Sequence, residues 1–209
     1  MTNTDICNMA LGKIGASQIK NLADTTENIP SAIQCRLHFE QTRDSLIRSH
    51  YWRFASARAE LTQDTTDPAF EWDSQFILPD DFMRLKSVWG DNFTPTGNTE
   101  LSFAIEGQRI LTNEASVDIR YIKKVEDPDE FDSLFVEVLV LHLALKLVAP
   151  LSGANPKLQQ VLVTELRLVM PRVRALDRQE TNTIGRINRR PWVEARISGG
   201  GTGLRPAVP

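Results

Sequence analysis

From Arg43 to Ala55 the chain reads Arg43-Asp44-Ser45-Leu46-Ile47-Arg48-Ser49-His50-Tyr51-Trp52-Arg53-Phe54-Ala55. After Trp52 the spacing of apolar positions changes from the helical period of about 3.6 to the strand period of about 2. Upstream, Ala32, Cys35, Phe39, Thr42 and Leu46 alternate between spacings of three and four, a packing seam on a helix whose first position suits Pro30. Its other face places Arg36 with Glu40 and Asp44 with Arg48, opposite charges one turn apart that support a solvated surface by about 0.2–0.5 kcal/mol each. Further back, a first helix is predicted over about 4–14, with Thr4 as N-cap, Ile6, Ala10 and Ile14 on one face, and Gly15 where a left-handed residue ends a helix. It is too short to stand alone.

Downstream the period of two continues through Gln75-Phe76-Ile77-Leu78, Met83-Arg84-Leu85-Lys86 and Ala104-Ile105-Glu106-Gly107-Gln108-Arg109-Ile110-Leu111, where Glu106-Gly107 reads as a hairpin turn. Val117 to Ile122 then alternates strictly. The intervening stretches 64–68 and 90–98, rich in Asp, Asn, Thr, Pro and Gly, read as loops.

Asp127-Pro128-Asp129-Glu130 combines a capping carboxylate, a first-turn proline and a glutamate three residues after the cap, so a third helix is predicted from there to about Ala149. Glu137, His142 and Lys146 fall on different sides of it, and Leu134, Phe135, Val138, Leu139, Leu141, Leu145 and Val148 leave no continuous polar face. Each large apolar side chain removed from water contributes about 1.5–3 kcal/mol. Half-exposing such a helix would exceed the usual net stability of a domain, about 5–15 kcal/mol. Either the bundle or a neighbouring subunit must surround it.

Asn155-Pro156 opens a fourth helix, whose stripe Leu158, Leu162, Leu166, Val169, Val173 and Leu176 passes across Pro171, where a bend rather than an end is predicted. From about Gln179 periodicity is lost, and Gly199-Gly200-Gly201-Thr202-Gly203 forms no core element. The predicted class is α+β, mainly α: a bundle of about four helices with a small antiparallel β insertion and an extended C-terminal arm. The segments are 1–54 and 125–180 for the bundle, 55–124 for the insertion and 181–209 for the arm.

Composition is that of an ordinary globular protein. The net charge of −3 conceals an asymmetry: from Arg178 onward six Arg stand against two Glu, a net +4, leaving −7 for residues 1–177. Nothing near the start resembles a secretory leader. The apolar run from Leu134 to Ala149 is interrupted by charge and stops at Pro150, so no membrane segment is predicted. Cys7 and Cys35 sit on helices among apolar neighbours and read as buried thiols rather than a disulfide framework.

No constellation for catalysis, cofactor or metal emerges. His38, His50 and His142 lie in different segments without a ligand partner at helical spacing, and read as solvated or hydrogen-bonded. Nucleophile elbows, phosphate loops and dinucleotide-binding turns are missing. Asp80-Asp81 is the one carboxylate pair of interest to a cell-wall hydrolase, but neighbours in extended chain point to opposite sides, and turn acids are the better account. Tyr51-Trp52-Arg53-Phe54 with Arg58 has the makings of a base-stacking surface. Trp52 and Phe54 read more simply as a structural plug where helix meets strand. The arm carries Arg186, Arg189, Arg190, Trp192, Arg196 and Arg205, a composition suited to phosphate contact or to an extended strap in a protein groove.

Several phrases, in order, resemble the head-to-tail adaptor or tail tubular A family of short-tailed bacteriophages. They are Asn8-Met9-Ala10-Leu11-Gly12-Lys13-Ile14-Gly15, Cys35 with Arg43 through Ala55, Leu78-Pro79-Asp80-Asp81-Phe82-Met83-Arg84-Leu85, Glu106-Gly107, Tyr121-Ile122 with Asp127-Pro128, and Pro191-Trp192-Val193-Glu194-Ala195-Arg196. The resemblance implies a structural virion protein without enzymatic turnover or cofactor, located at the portal vertex. It further implies a dodecameric ring joining the portal protein to the tail nozzle protein, with genomic DNA passing through, and the C-terminal arm reaching into clefts of the portal. An acidic body suits a channel wall along which DNA slides. The alternatives are a nucleic-acid-binding protein using the arm, and a tail-associated cell-wall hydrolase.

Overall fold

The computed structural model describes residues 1–90, 101–153 and 155–179. The chain divides into a unit from Met1 to Asp177 and one from Arg178 to Pro209, the latter lying, but for Arg178 and Gln179, outside the described residues.

Helix α1 (Asn3–Ile14) is capped two residues before the predicted Thr4. Thr2 is its cap, exchanging hydrogen bonds with Asp5 in a capping box, while the Thr4 hydroxyl accepts from Leu22 N at 3.1 Å. Gly15 closes it at φ +68°, as predicted. Helix α2 (Pro30–Ser49) starts on its proline and buries Ala32, Cys35, Phe39, Thr42 and Leu46, the predicted seam. The predicted charge pairs do not form. Arg36 instead donates to the carbonyls of Asp24 and Glu27, Arg43 is buried and bonds Asp44 at 2.7 Å, and Arg48 reaches the Met83 carbonyl. Backbone carbonyls, and for the buried Arg43 the half-buried carboxylate of Asp44, offer these guanidiniums firmer partners than an exposed i,i+4 neighbour does.

The β insertion is a two-layer sandwich. Strands β1 (Ser56–Glu60), β7 (Val117–Lys123) and β4 (Phe82–Gly90) form one antiparallel sheet in the order β1-β7-β4. Strands β2 (Thr62–Gln63), β3 (Ser74–Ile77), β6 (Arg109–Thr112) and β5 (Phe103–Glu106) form the other, in the order β2-β3-β6-β5. Alternation puts Val117, Ile119 and Tyr121 against Phe76, Leu78 and Ile110 in a core of their own. The predicted hairpin is β5–β6, with its turn one residue later: Glu106 pairs with Arg109, and the loop is Gly107-Gln108, Gly107 at φ +59°. Asp80 and Asp81 occupy a turn, closed by Phe82 N donating to Pro79 O at 2.9 Å, as predicted for turn acids. The loop predicted over 90–98 lies, beyond Gly90, outside the described residues.

Asp127 caps only a 3-10 turn, Pro128–Glu130; helix α3 (Ser133–Leu151) starts at a second cap, Asp132, whose carboxylate accepts from Leu134 N at 2.7 Å. Phe131 between the two caps is drawn into the core, which splits the predicted helix start in two. By length and composition the 19 residues of α3 suffice to cross a membrane. Here α3 is the core helix: α1, α2, α4 (Pro156–Gln179) and the aromatics before it cover it, so the bundle itself buries the all-round apolar surface. Asn155 caps α4, which runs unbroken through Pro171 and buries Leu162 and Val173, with Leu158, Leu166 and Val169 packed beside them. The result is the predicted α+β, mainly α, architecture.

Candidate interaction surfaces

The junction between helices and sheets is built on residues 48–54. Helix α2 ends because His50 turns extended, at φ −139° and ψ 158°. Trp52 then folds back: its indole N–H donates to Leu46 O at 2.9 Å, and its ring meets His50 edge-on at 4.9 Å and Phe135 at 5.1 Å. Only 1 % of Trp52 is exposed, so it has no face open to a nucleic-acid base. Phe54 packs beside it against Phe131 and Phe135.

Polar bonds brace the same region. Arg84 donates to Arg48 O at 3.2 Å, reciprocating the Arg48 bond to Met83 O, and the Tyr51 hydroxyl donates to Leu85 O at 3.2 Å. The guanidinium of Arg84 lies 4.3 Å from the Tyr51 ring centre. Asp177, near the end of α4, accepts from Arg53 N at 3.2 Å and meets His50 Nε2 at 3.0 Å. A carboxylate on the last turn before the arm is thus tied to the exit of α2. Sequence gave no sign of this tie, since 127 residues separate His50 from Asp177.

The candidate arm residues Arg186, Arg189, Arg190, Trp192, Arg196 and Arg205 lie outside the described residues. Three further surfaces are visible, the first of them including Arg58, which the sequence had grouped with Tyr51 to Phe54. One side of the β1-β7-β4 sheet sets Arg58 directly opposite Arg120, and Glu60 opposite Asp118 in the next row. Like charges so placed repel. They line a cleft of about 520 Å³ together with Trp89, whose ring centre is 5.3 Å from the Arg120 guanidinium. Lys86 is within electrostatic reach; burial and Arg120 lower its pKa, against the opposing pull of Asp177.

The other two surfaces are apolar. On α2, Ile33 and Leu37 stand exposed one turn apart; on α4, Val161 is 60 % exposed and Leu168 73 %. Met170 and Arg174 of α4 approach α2, whereas Val161 and Leu168, two turns apart, occupy the opposite flank of the same helix. The signal was present in sequence, but Val161 and Leu168 lie outside the dominant apolar stripe.

The remaining reactive groups are accounted for locally. Asp81 accepts the Tyr121 hydroxyl at 2.9 Å, and burial together with that bond pushes the tyrosine up to about 12. Cys7 and Cys35 are both buried, and hydrogen bonding to Cys35 with burial pushes the Cys7 thiol up. Among the described residues no group of His, Cys, Asp and Glu is arranged to hold a metal. His38 is half-buried and His50 hydrogen-bonded, while His142 is half-buried with Nε2 unpartnered, contrary to expectation.

No family model matches this chain, and no curated protein matches it at a significant level.

Proposed function

We propose that this chain is a structural adaptor that assembles into a ring and joins a phage portal to the tail nozzle, with its C-terminal arm as the portal anchor. The observation that carries the reading is the pair of exposed apolar strips, Ile33 with Leu37 on α2 and Val161 with Leu168 on α4, left uncovered among the described residues, the second on the flank of α4 turned away from α2. Two distinct patches suit head-to-tail contacts between copies, which close into rings when the rotation permits, whereas a two-fold dimer needs one patch that matches itself. The braced junction supports it too, because a ring transmits position only if each protomer holds its β insertion in a fixed pose. The arm, net +4 from Arg178 on, adds many weak engagements to one another once copies are ringed.

Electron microscopy of the purified chain with and without portal rings tests the assignment. Full-length protein is expected to form rings that cap the portal; protein lacking residues 181–209 is expected to fold but to leave portals uncapped. Capping by the truncated chain removes the arm from the mechanism, and a persistent monomer in every condition removes the adaptor reading.

A second reading, nucleic-acid binding, draws on the side of the β1-β7-β4 sheet where Arg58, Arg84 and Arg120 gather. It predicts DNA affinity that falls steeply with added salt. Salt-insensitive or absent binding at micromolar protein counts against it.

A further inference from the structure

A second cleft, of about 230 Å³, opens where α2, α3 and α4 meet. Its polar lining is Gln41, Thr42, Ser45 and Ser49 from α2, His142 and Lys146 from α3, and Arg174 from α4; no carboxylate lines it. In a body that carries −7 over residues 1–177, two cations side by side without an acid are out of keeping with their surroundings. Neither Lys146 nor Arg174 has an ion-pair partner among the described residues, and Arg174 Nε and His142 Nε2 are buried with no hydrogen-bond partner. Leaving buried polar atoms unpaired ordinarily costs about 1–3 kcal/mol each. Such a group in a folded protein calls for a reason.

We propose that this cleft binds one tetrahedral oxyanion of the phosphate or sulfate class, held between Arg174 and Lys146, with Ser45 and Gln41 donating from the rim. The volume equals roughly seven or eight waters at about 30 Å³ each, enough for one such ion with part of its hydration. A divalent cation is repelled by the same lining. The state of His142 agrees: burial, then repulsion from Lys146 and Arg174, holds its pKa below the ordinary histidine value. The α2 residues lining the cleft, Gln41, Thr42, Ser45 and Ser49, carry no charge, so those two cations are the groups that face it. An anion seated beside them screens that repulsion and raises the His142 pKa, so binding and protonation of His142 favour one another.

The test uses the full chain and sodium sulfate, which stays dianionic over the working range, with ionic strength held constant by sodium chloride. Expected are a saturable rise in the unfolding midpoint above the chloride control and an upward shift of the His142 imidazole titration followed by NMR. Arg174→Gln and Lys146→Gln, at side chains that are half-exposed and exposed, are each expected to weaken the effect about tenfold, the scale of a lost hydrogen bond to a charged group. Their midpoints in chloride alone report that they fold. Competition by inorganic phosphate alone marks a free ion as the ligand; equal or better competition by a nucleoside 5′-monophosphate marks a phosphate ester. A midpoint that tracks ionic strength only, equal affinity in both variants, or an unmoved His142 titration overturns the proposal.

Discussion

Trp52 shows how much one side chain settles. It supplies a hydrogen bond to the last turn of α2, ring contacts to His50 and Phe135, and the seal between bundle and sandwich. Trp52→Ala is expected to cost about 3–5 kcal/mol, the range for deleting a fully buried large aromatic. Urea unfolding at matched m-values measures it, and a loss under 1 kcal/mol contradicts the plug. That Trp52 belongs inside was legible, because it stands where the period changes; that Asp177 closes the same corner was not, because pairing across 127 residues leaves no mark on local pattern. His142 gives a pH prediction at this scale. Its folded pKa is lowered, so in the window between the folded value and the unfolded value of ~6.5 the unfolded chain binds more protons. Stability therefore rises with pH through that window, and the contribution is lost as pH falls through it toward the folded value. In buffers free of sulfate and phosphate, the midpoint of His142→Gln is expected to decline less steeply than that of the wild type between pH 7 and 5. Parallel profiles contradict this.

At the scale of elements, α4 is the most informative. Its stripe was read correctly as far as Val173, with Leu176 emerging into solvent at the last turn. The apolar residues off that stripe, Val161 and Leu168, have no cover within the described residues of the chain. Val161→Asp with Leu168→Asp is expected to leave the monomer's unfolding midpoint nearly unchanged, since exposed positions typically move stability by no more than about 0.5 kcal/mol. It is expected to abolish ring formation, as native mass spectrometry would show. Rings of normal mass in the double variant place the contact elsewhere. The start of α3 teaches the opposite lesson. Asp127 and Asp132 are both competent caps, and the burial of Phe131 between them decides that the long helix begins at the second. Local capping signals are worth about 1 kcal/mol, less than burying a phenyl ring.

Over the whole molecule, the two hydrophobic clusters give bundle and sandwich their own cores, with Ile122 on the bundle side of a strand whose Tyr121 faces the other. One strand thus serves both layers. The charge division between body and arm gives the truncation its meaning: removing residues 181–209 takes away positive charge and potential contacts but no element of either described core. The shortened chain is expected to keep its far-ultraviolet dichroism and its unfolding midpoint while losing portal attachment. A collapsed midpoint would mean that the arm is part of the fold.

Helices, strands, an antiparallel β insertion between helices and the inward faces of those helices were legible in the chain alone, because they follow from periodicity and chain stiffness within a dozen residues; that the insertion folds as two packed sheets was not. Tertiary structure alone decided which partners the arginines take, which of two caps begins α3, how Asp177 meets His50, and that His142, Lys146 and Arg174 share one cleft without an acid. These outcomes depend on which surfaces meet once the core closes, and long-range electrostatics and burial then outweigh preferences that neighbouring residues express on their own.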